Sequence, residues 1–178
     1  MAGFAGTSEK PSEIEREVMR HFDQFRNPML RYCLSLGIPI HDAEEIIQDV
    51  FLHLFRHLQQ ERPRSNLRGW IFRVAHNLAL KHRASEKRKR ERIGTSETLE
   101  EQHSDPAPSP EERLLMVQRR HRLLDVVYAL PEADHDCLML RAEGLRYREI
   151  ADVLGMSLGS VANSLARTLA RLSRADGR

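Results

Sequence analysis

The sequence predicts an all-α protein of two small helical domains, and three observations favour this fold class. Aromatic residues make up only 6% of the 178 residues and charged residues 30%, a balance that disfavours a large β core. Apolar residues recur at spacings of three and four, as on one face of a helix. An acidic stretch with two prolines divides the chain, so we expect a disordered start at 1–11, domains at 12–92 and 110–178, and a flexible linker at 93–109.

Three helices are expected in the first domain, each opened by a polar residue that can cap the first turn. Two of these openings, Ser12 with Glu15 and Asp42 with Glu45, have the spacing of a capping box. Asn66 is the expected cap of the third helix, which continues into a basic run.

Four helical segments are expected in the second domain. Gly144 and Gly155 separate the later ones, and the short break at Gly155 has the spacing of a helix-turn-helix. The expected segments are about 110–129, 132–142, 147–154 and 158–173.

The net charge of +2 hides a strong asymmetry. Residues 71–92 contain eight Lys or Arg and two Glu, whereas residues 93–112 contain six acids and no Lys or Arg. This pattern indicates a surface that binds a polyanion, followed by a segment that avoids it. For a charge run taken alone, a solvated helix face is the alternative interpretation.

The remaining composition favours a cytoplasmic protein without chemistry of its own. Cys33 and Cys137 are far apart in apolar contexts and are expected to be reduced core residues. We expect no signal peptide, and no apolar run approaches the ~20 residues of a membrane span.

No catalytic motif stands out: the sequence has no glycine-rich phosphate loop, no H-E-x-x-H and no nucleophile elbow, so neither an enzyme nor a cofactor is expected. His53 and His57 are four residues apart, with Asp49 one turn earlier, which is a possible metal-binding spacing. No further ligand is evident, and no metal is expected.

Two pairs of stretches resemble a known family. Residues 42–55 (DAEEIIQDVFLHLF) and 67–79 (LRGWIFRVAHNLA) resemble region 2 of the extracytoplasmic-function sigma factors. Residues 129–132 (ALPE) and 143–157 (EGLRYREIADVLGMS) resemble their region 4, in the family's order. The resemblance covers residues 12–174.

The resemblance implies a non-enzymatic subunit that brings bacterial RNA polymerase to promoters and helps to melt them. The first domain would bind the clamp helices of the core polymerase and the minus-ten element. The second would bind the polymerase flap and the minus-thirty-five element through its helix-turn-helix.

The second expected helix carries the candidate polymerase-binding residues. Glu45, Gln48 and Asp49 follow the i, i+3, i+4 spacing, so they share one face, opposite the apolar stripe. In the similar family this face meets a coiled coil of the polymerase, and acidic groups suit arginine-rich helices. An ordinary solvated face is the alternative.

The third expected helix carries the candidate DNA-binding residues of the first domain. Asn77 matches a family position that holds a base flipped out of the melted strand, because an amide can pair with an exposed base edge. Trp70 matches a family aromatic near the melting surface, although core packing is the favoured interpretation. Arg73, Lys81 and Arg83 are expected to contact phosphates.

The expected recognition helix of the second domain is weakly basic, which predicts weak binding to the minus-thirty-five element. Ala162, Ser164 and Leu169 stand where relatives often carry basic residues. The residues expected to contact DNA are Ser160, Asn163, Ser164 and Arg167.

Two other functions remain open at this stage. A sigma-like decoy would bind an anti-sigma factor without contacting a promoter, and an anti-sigma factor is also a candidate partner of a working sigma factor. A helix-turn-helix repressor would bind duplex DNA without polymerase, but the acidic face of the first domain argues against it.

Overall fold

The computed structural model describes residues 12–93 and 110–177, which form seven α-helices and no strand. The all-α prediction is confirmed. The predicted disordered start and nearly all of the predicted linker lie outside the described residues. The helices are α1 (Glu13–Ser35), α2 (Ile40–Gln59), α3 (Leu67–Ile93), α4 (Pro110–Tyr128), α5 (Glu132–Ala142), α6 (Tyr147–Leu154) and α7 (Leu158–Asp176).

The start of α1 has the predicted cap, but the start of α2 does not. The Ser12 hydroxyl accepts from the Glu15 N–H at 3.2 Å, and the Glu15 carboxylate accepts from the Ser12 N–H at 2.7 Å. By contrast, α2 begins two residues before Asp42, with Pro39 as its cap and no side-chain hydrogen bond. The predicted capping box at Asp42 is therefore wrong, and the Asp42 carboxylate instead lies 3.3 Å from the His82 ring nitrogen of α3.

The start of α3 depends on a close contact between Asn66 and Gly69. Asn66 adopts a positive φ of 57°, and its side-chain oxygen accepts from the Gly69 N–H at 3.2 Å. The predicted cap is confirmed. A Cβ on residue 69 would lie 2.6 Å from the Asn66 side-chain nitrogen, so only glycine leaves room for this cap.

The first three helices pack around large side chains that are almost fully buried. Met29 and Tyr32 of α1 meet Leu54 of α2 and Ile71 and Phe72 of α3 in this core. Burying each such apolar side chain contributes about 1.5–3 kcal/mol. The core therefore fixes which face of α2 and of α3 is left outside.

The last four helices form a second group in which α7 packs against α4, α5 and α6. Gly155, in the left-handed conformation at φ 64°, ends α6. The Ser157 hydroxyl then caps α7 by accepting from the Ser160 N–H at 3.0 Å. This is the predicted helix-turn-helix, with α7 in the place of the recognition helix.

The two groups pack against each other through α3 with α6 and α1 with α5. The Arg31 guanidinium donates to both carboxylate oxygens of Glu143, at 2.9 and 2.6 Å. Arg68 of α3 donates to the Glu143 carbonyl at 2.7 Å. Glu143 is thus the main polar connection between the two halves. In the described parts of the chain, no helix has both the length and the apolar character needed to cross a membrane.

Candidate nucleic-acid interface

A buried histidine sets the rotation of α3. His76 is 7% exposed, and its Nδ1 lies 2.8 Å from the Tyr32 hydroxyl of α1. Burial lowers the pKa of His76, more than the acids Asp136 and Glu132 raise it, and Arg83 lowers it further. The ring is therefore neutral at pH 7, and its Nδ1 shares a hydrogen bond with the Tyr32 hydroxyl. This contact turns the neighbouring Asn77 toward solvent.

Four of the predicted residues form a row on the outer side of α3, which we call the α3 stripe: Trp70, Arg73, Asn77 and Lys81. They follow the i, i+3, i+7, i+11 spacing of one helix face. The three polar residues are exposed, and Trp70 is half-buried. The stripe thus combines an aromatic ring, an amide and two cations along one line.

Trp70 is held by a histidine that the sequence suggested as a metal ligand. The rings of His57 and Trp70 lie 4.5 Å apart, and the His57 Nε2 lies 3.1 Å from the Pro63 carbonyl oxygen. Within the described residues, no group of three or more His, Cys, Asp or Glu could hold a metal ion. In this structure His57 supports the Trp70 end of the stripe.

Arg83, which the sequence also predicts to contact phosphates, lies outside the stripe. It lies six positions after Asn77, which turns it to another side of α3, toward the second half of the chain. Its guanidinium donates to the Glu132 carboxylate of α5 at 2.9 Å. The sequence could not reveal this contact because the two residues are 49 positions apart.

The predicted polymerase-binding residues of α2 share one solvent-facing surface. Glu45, Gln48 and Asp49 are all exposed. Leu52, one turn farther along the same face, is 47% exposed. We call these four residues the α2 face. The sequence analysis did not include Leu52 among the candidate site residues.

The outer side of α7 carries three of the four residues predicted to contact DNA. Ser160, Asn163 and Arg167 are exposed and follow the i, i+3, i+7 spacing. Arg167 lies toward the middle of the helix, and its side chain is 58% exposed. The structure therefore places two small polar groups and one cation in a row.

Ser164 is not in that row, which corrects the fourth prediction. It is 1% exposed, and its hydroxyl donates to the Asp134 carboxylate of α5 at 2.7 Å. Its position four residues after Ser160 gave no indication of this, because the burial comes from packing of α7 on α5. In this structure Ser164 joins two helices and does not face solvent.

Asp134 is the residue at this site that sequence reasoning missed. It is 5% exposed and also accepts from the Arg167 Nη2 at 2.9 Å. Burial alone would raise the pKa of Asp134, but the hydrogen bonds from Ser164 and Arg167 and the charges of Arg167 and Arg171 outweigh it and lower the pKa. Asp134 is therefore an ionised, buried carboxylate at neutral pH.

The two cysteines are buried and unpaired, as predicted. Burial raises the pKa of the Cys33 thiol to about 12 and also raises that of Cys137. Neither thiol is a thiolate at neutral pH, so both behave as small core residues.

Comparison with protein families accounts for both halves of the chain. Residues 21–89 match the model of sigma-70 region 2, and residues 120–172 match the model of sigma-70 region 4. The first match contains the α2 face and the α3 stripe, and the second contains the helix-turn-helix.

The chain is similar to curated sigma factors along most of its length. It is 30% identical to the RNA polymerase sigma-H factor of Pseudomonas aeruginosa, over 91% of this chain and 89% of that protein. It is 34% identical to the ECF RNA polymerase sigma factor SigE of Mycolicibacterium smegmatis, over 84% of this chain. Some relatives are longer: the chain spans 56% of SigE and 36% of a probable sigma factor, RfaY, of Xanthomonas campestris.

The fold is also that of a solved sigma factor. The structure of the sigma factor RpoE in complex with the anti-sigma factor NepR from Bartonella quintana has a TM-score of 0.69 and 17% identity, covering 90% of this chain and 96% of that one. The two region matches, the full-length similarity to sigma-H and the shared fold lead to one conclusion. The chain belongs to the sigma-70 family of RNA polymerase sigma factors, in its extracytoplasmic-function (ECF) group.

Proposed function

We propose that this protein directs core RNA polymerase to specific promoters and assists their melting, without chemistry of its own. The observation that carries the proposal is the presence of two different exposed surfaces on neighbouring helices of one small domain. The α2 face is acidic with one apolar residue, whereas the α3 stripe joins two cations to an amide and an aromatic ring. One surface fits a protein and the other fits a nucleic acid.

The α2 face fits a partner helix that is basic and partly apolar. Glu45 and Asp49 can accept charge-assisted hydrogen bonds from arginine, and Gln48 can donate as well as accept. Leu52 would bury apolar area at the centre of such a contact. In the family, the clamp helices of the core polymerase are the partner of this region.

The α3 stripe fits single-stranded promoter DNA next to duplex. Arg73 and Lys81 would contact phosphates and fix the position of the strand. The Asn77 amide can donate to and accept from the edge of an unstacked base, and the half-exposed face of Trp70 can stack on one. Capture of this kind offsets the few kcal/mol that unstacking a base costs.

The outer row of α7 would contact duplex DNA upstream. The minus-ten and minus-thirty-five elements lie ~85 Å apart at 3.4 Å per base pair. The two halves of the chain are in direct contact through Arg31 and Glu143. Binding both elements at once therefore requires that these contacts open.

An anti-sigma factor is a further candidate partner. The solved structure of RpoE from Bartonella quintana holds the anti-sigma factor NepR, and this chain shares that fold. Such a partner would act on a working sigma factor as well as on a decoy, so it does not by itself decide between the two functions.

The proposal is tested by reconstitution with core polymerase. The parent protein should bind core polymerase and start transcription from defined promoters in a genomic library. The Glu45→Lys/Asp49→Lys variant should lose polymerase binding at least tenfold, an estimate for reversing two charges in one interface. The matched control is Asp23→Lys/Asp125→Lys, which reverses two exposed acids on α1 and α4.

The outcomes separate the rival functions. Polymerase binding with promoter-specific transcription supports the proposal. Binding to an anti-sigma factor without any transcription would indicate the decoy. Specific duplex binding that does not require polymerase would indicate a stand-alone regulator. Equal polymerase binding by the two double variants would show that the α2 face is wrongly assigned.

A further inference from the structure

A buried carboxylate connects α5 to the recognition helix. Asp134 is 5% exposed, and both of its hydrogen bonds to other helices come from α7, from Ser164 at 2.7 Å and from Arg167 at 2.9 Å. A buried charge is costly unless hydrogen bonds compensate it. Ser164 and Arg167 provide these bonds from the same helix, three residues apart.

The bond to Asp134 restrains Arg167 but leaves most of its donors available. An arginine has five N–H donors in a planar fork, and here Nη2 is the guanidinium nitrogen that meets Asp134. Among the described residues, no other hydrogen-bond partner of this guanidinium is observed. Its side chain remains 58% exposed, on the same outer row as Ser160 and Asn163.

We propose that Asp134 is a positioning residue that holds the Arg167 guanidinium in the orientation needed to read a guanine in duplex DNA. The proposal rests on the proposed promoter-binding function of α7. Guanine presents two acceptors, O6 and N7, in the major groove, and the arginine fork matches both. Fixing the fork in advance removes much of the rotamer entropy that binding would otherwise cost.

Charge argues that the role of Asp134 is orientation and not affinity. A carboxylate close to DNA repels phosphates, so a recognition helix with few cations is not helped by an acid that neutralises one of them. The acid has a benefit where geometry matters, because a charge-assisted bond is about twice as strong as a neutral one. Loss of Asp134 should therefore reduce discrimination between base pairs more than it reduces total binding.

The test uses the full-length protein with core polymerase and a duplex library. The upstream element is randomised, and the downstream segment is constant and pre-melted, so that α3 binds equally well throughout. Asp134→Asn keeps the shape and one acceptor oxygen but removes the charge. Asp134→Glu, which keeps the charge at a longer reach, is a second variant. Arg167→Ala removes the proposed reader.

Asp136→Asn is the matched control. Asp136 is on the same helix and is also 5% exposed, but its side-chain contact is to the neighbouring His135 at 3.4 Å and not to α7. The Asp136→Asn substitution therefore removes one buried negative charge from the same helix, as Asp134→Asn does, without changing a contact of Arg167. Thermal melting of every variant accompanies the selection.

The parent should enrich a guanine at one position, and Arg167→Ala should abolish that preference. Asp134→Asn and Asp134→Glu should lower it roughly fivefold, part of the discrimination that one bidentate contact supplies. Asp136→Asn should leave it unchanged, and Asp134→Asn should have no further effect in the Arg167→Ala background. A merely structural role would lower the melting temperature without this dependence on Arg167.

Two results would overturn the proposal. If Arg167→Ala abolishes the guanine preference while both Asp134 variants keep it in full, the positioning role fails and the promoter function stands. If the parent holoenzyme enriches no upstream sequence, the DNA-reading role of α7 and the role of Asp134 fail together.

Discussion

The two helices proposed to meet DNA, α3 and α7, expose rows with the same spacing but different chemistry. The α3 stripe has two exposed cations, Arg73 and Lys81, on either side of an amide. The outer row of α7 has a hydroxyl, an amide and one arginine, and that arginine is partly neutralised by a buried acid. The first row supplies charge, whereas the second supplies a few oriented hydrogen bonds.

This difference indicates how the work is divided. A helix that must hold a melted strand gains from charge that does not depend on sequence and from groups that pair with exposed bases. A helix that reads intact duplex gains from donors fixed in direction. The weakly basic character of α7 is then a sign of dependence on the rest of the complex, which raises its effective concentration at the promoter.

The largest effect is expected from Asn77→Ala. Without the amide, a flipped base has no partner, and open complexes should fall about tenfold or more, the value of a buried hydrogen bond left unmade. The measurement is open-complex formation on duplex promoters and on promoters with a pre-melted bubble, and both should show a loss. Asn27→Ala, an exposed asparagine on α1, is the control. Normal activity on both templates would remove Asn77 from the mechanism.

A smaller effect is expected from Arg167→Ala. Promoter-directed transcription should fall roughly fivefold to tenfold, because one base contact is lost. Other single alanine changes on the outer row of α7 should cost less. Arg174→Ala, near the end of the same helix, is the control for charge. An Arg167→Ala protein with full activity would contradict the role given to α7.

The salt dependence should separate the two rows. Replacing Arg73 and Lys81 by alanine should flatten the slope of log affinity against log salt by about 2, whereas Arg167→Ala should flatten it by at most about 1. The measurement is holoenzyme binding to a bubble promoter between low and moderate salt, with Arg16→Ala/Arg20→Ala on α1 as the control. Equal slopes for the two sets would remove the distinction between a charge-supplying and an orienting helix.

The smallest effect concerns the internal support of the α3 stripe. Burial lowers the pKa of His76 in the folded protein, so the unfolded chain binds more protons as the pH falls below about 6.5. Stability should therefore decrease from pH 7 downward and level off once the pH is below the folded pKa. Urea unfolding across this pH range measures the free energy of unfolding. The His76→Gln variant should lose the part of its pH dependence that comes from His76. A parent slope identical to that of the variant would contradict the neutral His76.

Local signals in the sequence were enough to predict most of the helix boundaries. The Ser12 cap, the Asn66 cap and the break at Gly155 all act within four residues of themselves, and the structure has each of them. The exception is the start of α2, where the Asp42 spacing was right for a cap but Pro39 begins the helix earlier. A local pattern cannot reveal which of two nearby starts is used.

The candidate site was less predictable from the sequence, because contacts between distant segments decide where its side chains lie. Arg83 and Ser164 have the residue types expected at a DNA surface, yet each is paired with an acid of α5. Asp134 gave no sequence signal, since its role depends on α7 packing over it. Leu52 was not among the predicted site residues, and the three-dimensional arrangement shows it exposed beside them.

The central claim is that α3 acts on the melted strand and α7 on the upstream duplex, and truncated promoters test it most directly. Transcription by holoenzymes carrying the parent, Asn77→Ala or Arg167→Ala is compared on a full promoter and on one cut away upstream of the minus-ten element. The account predicts that both variants are defective on the full promoter, and that only Asn77→Ala remains defective, relative to the parent, on the truncated one. Two results on the truncated promoter would contradict the account. One is an Arg167→Ala defect that persists there, and the other is an Asn77→Ala defect that disappears there.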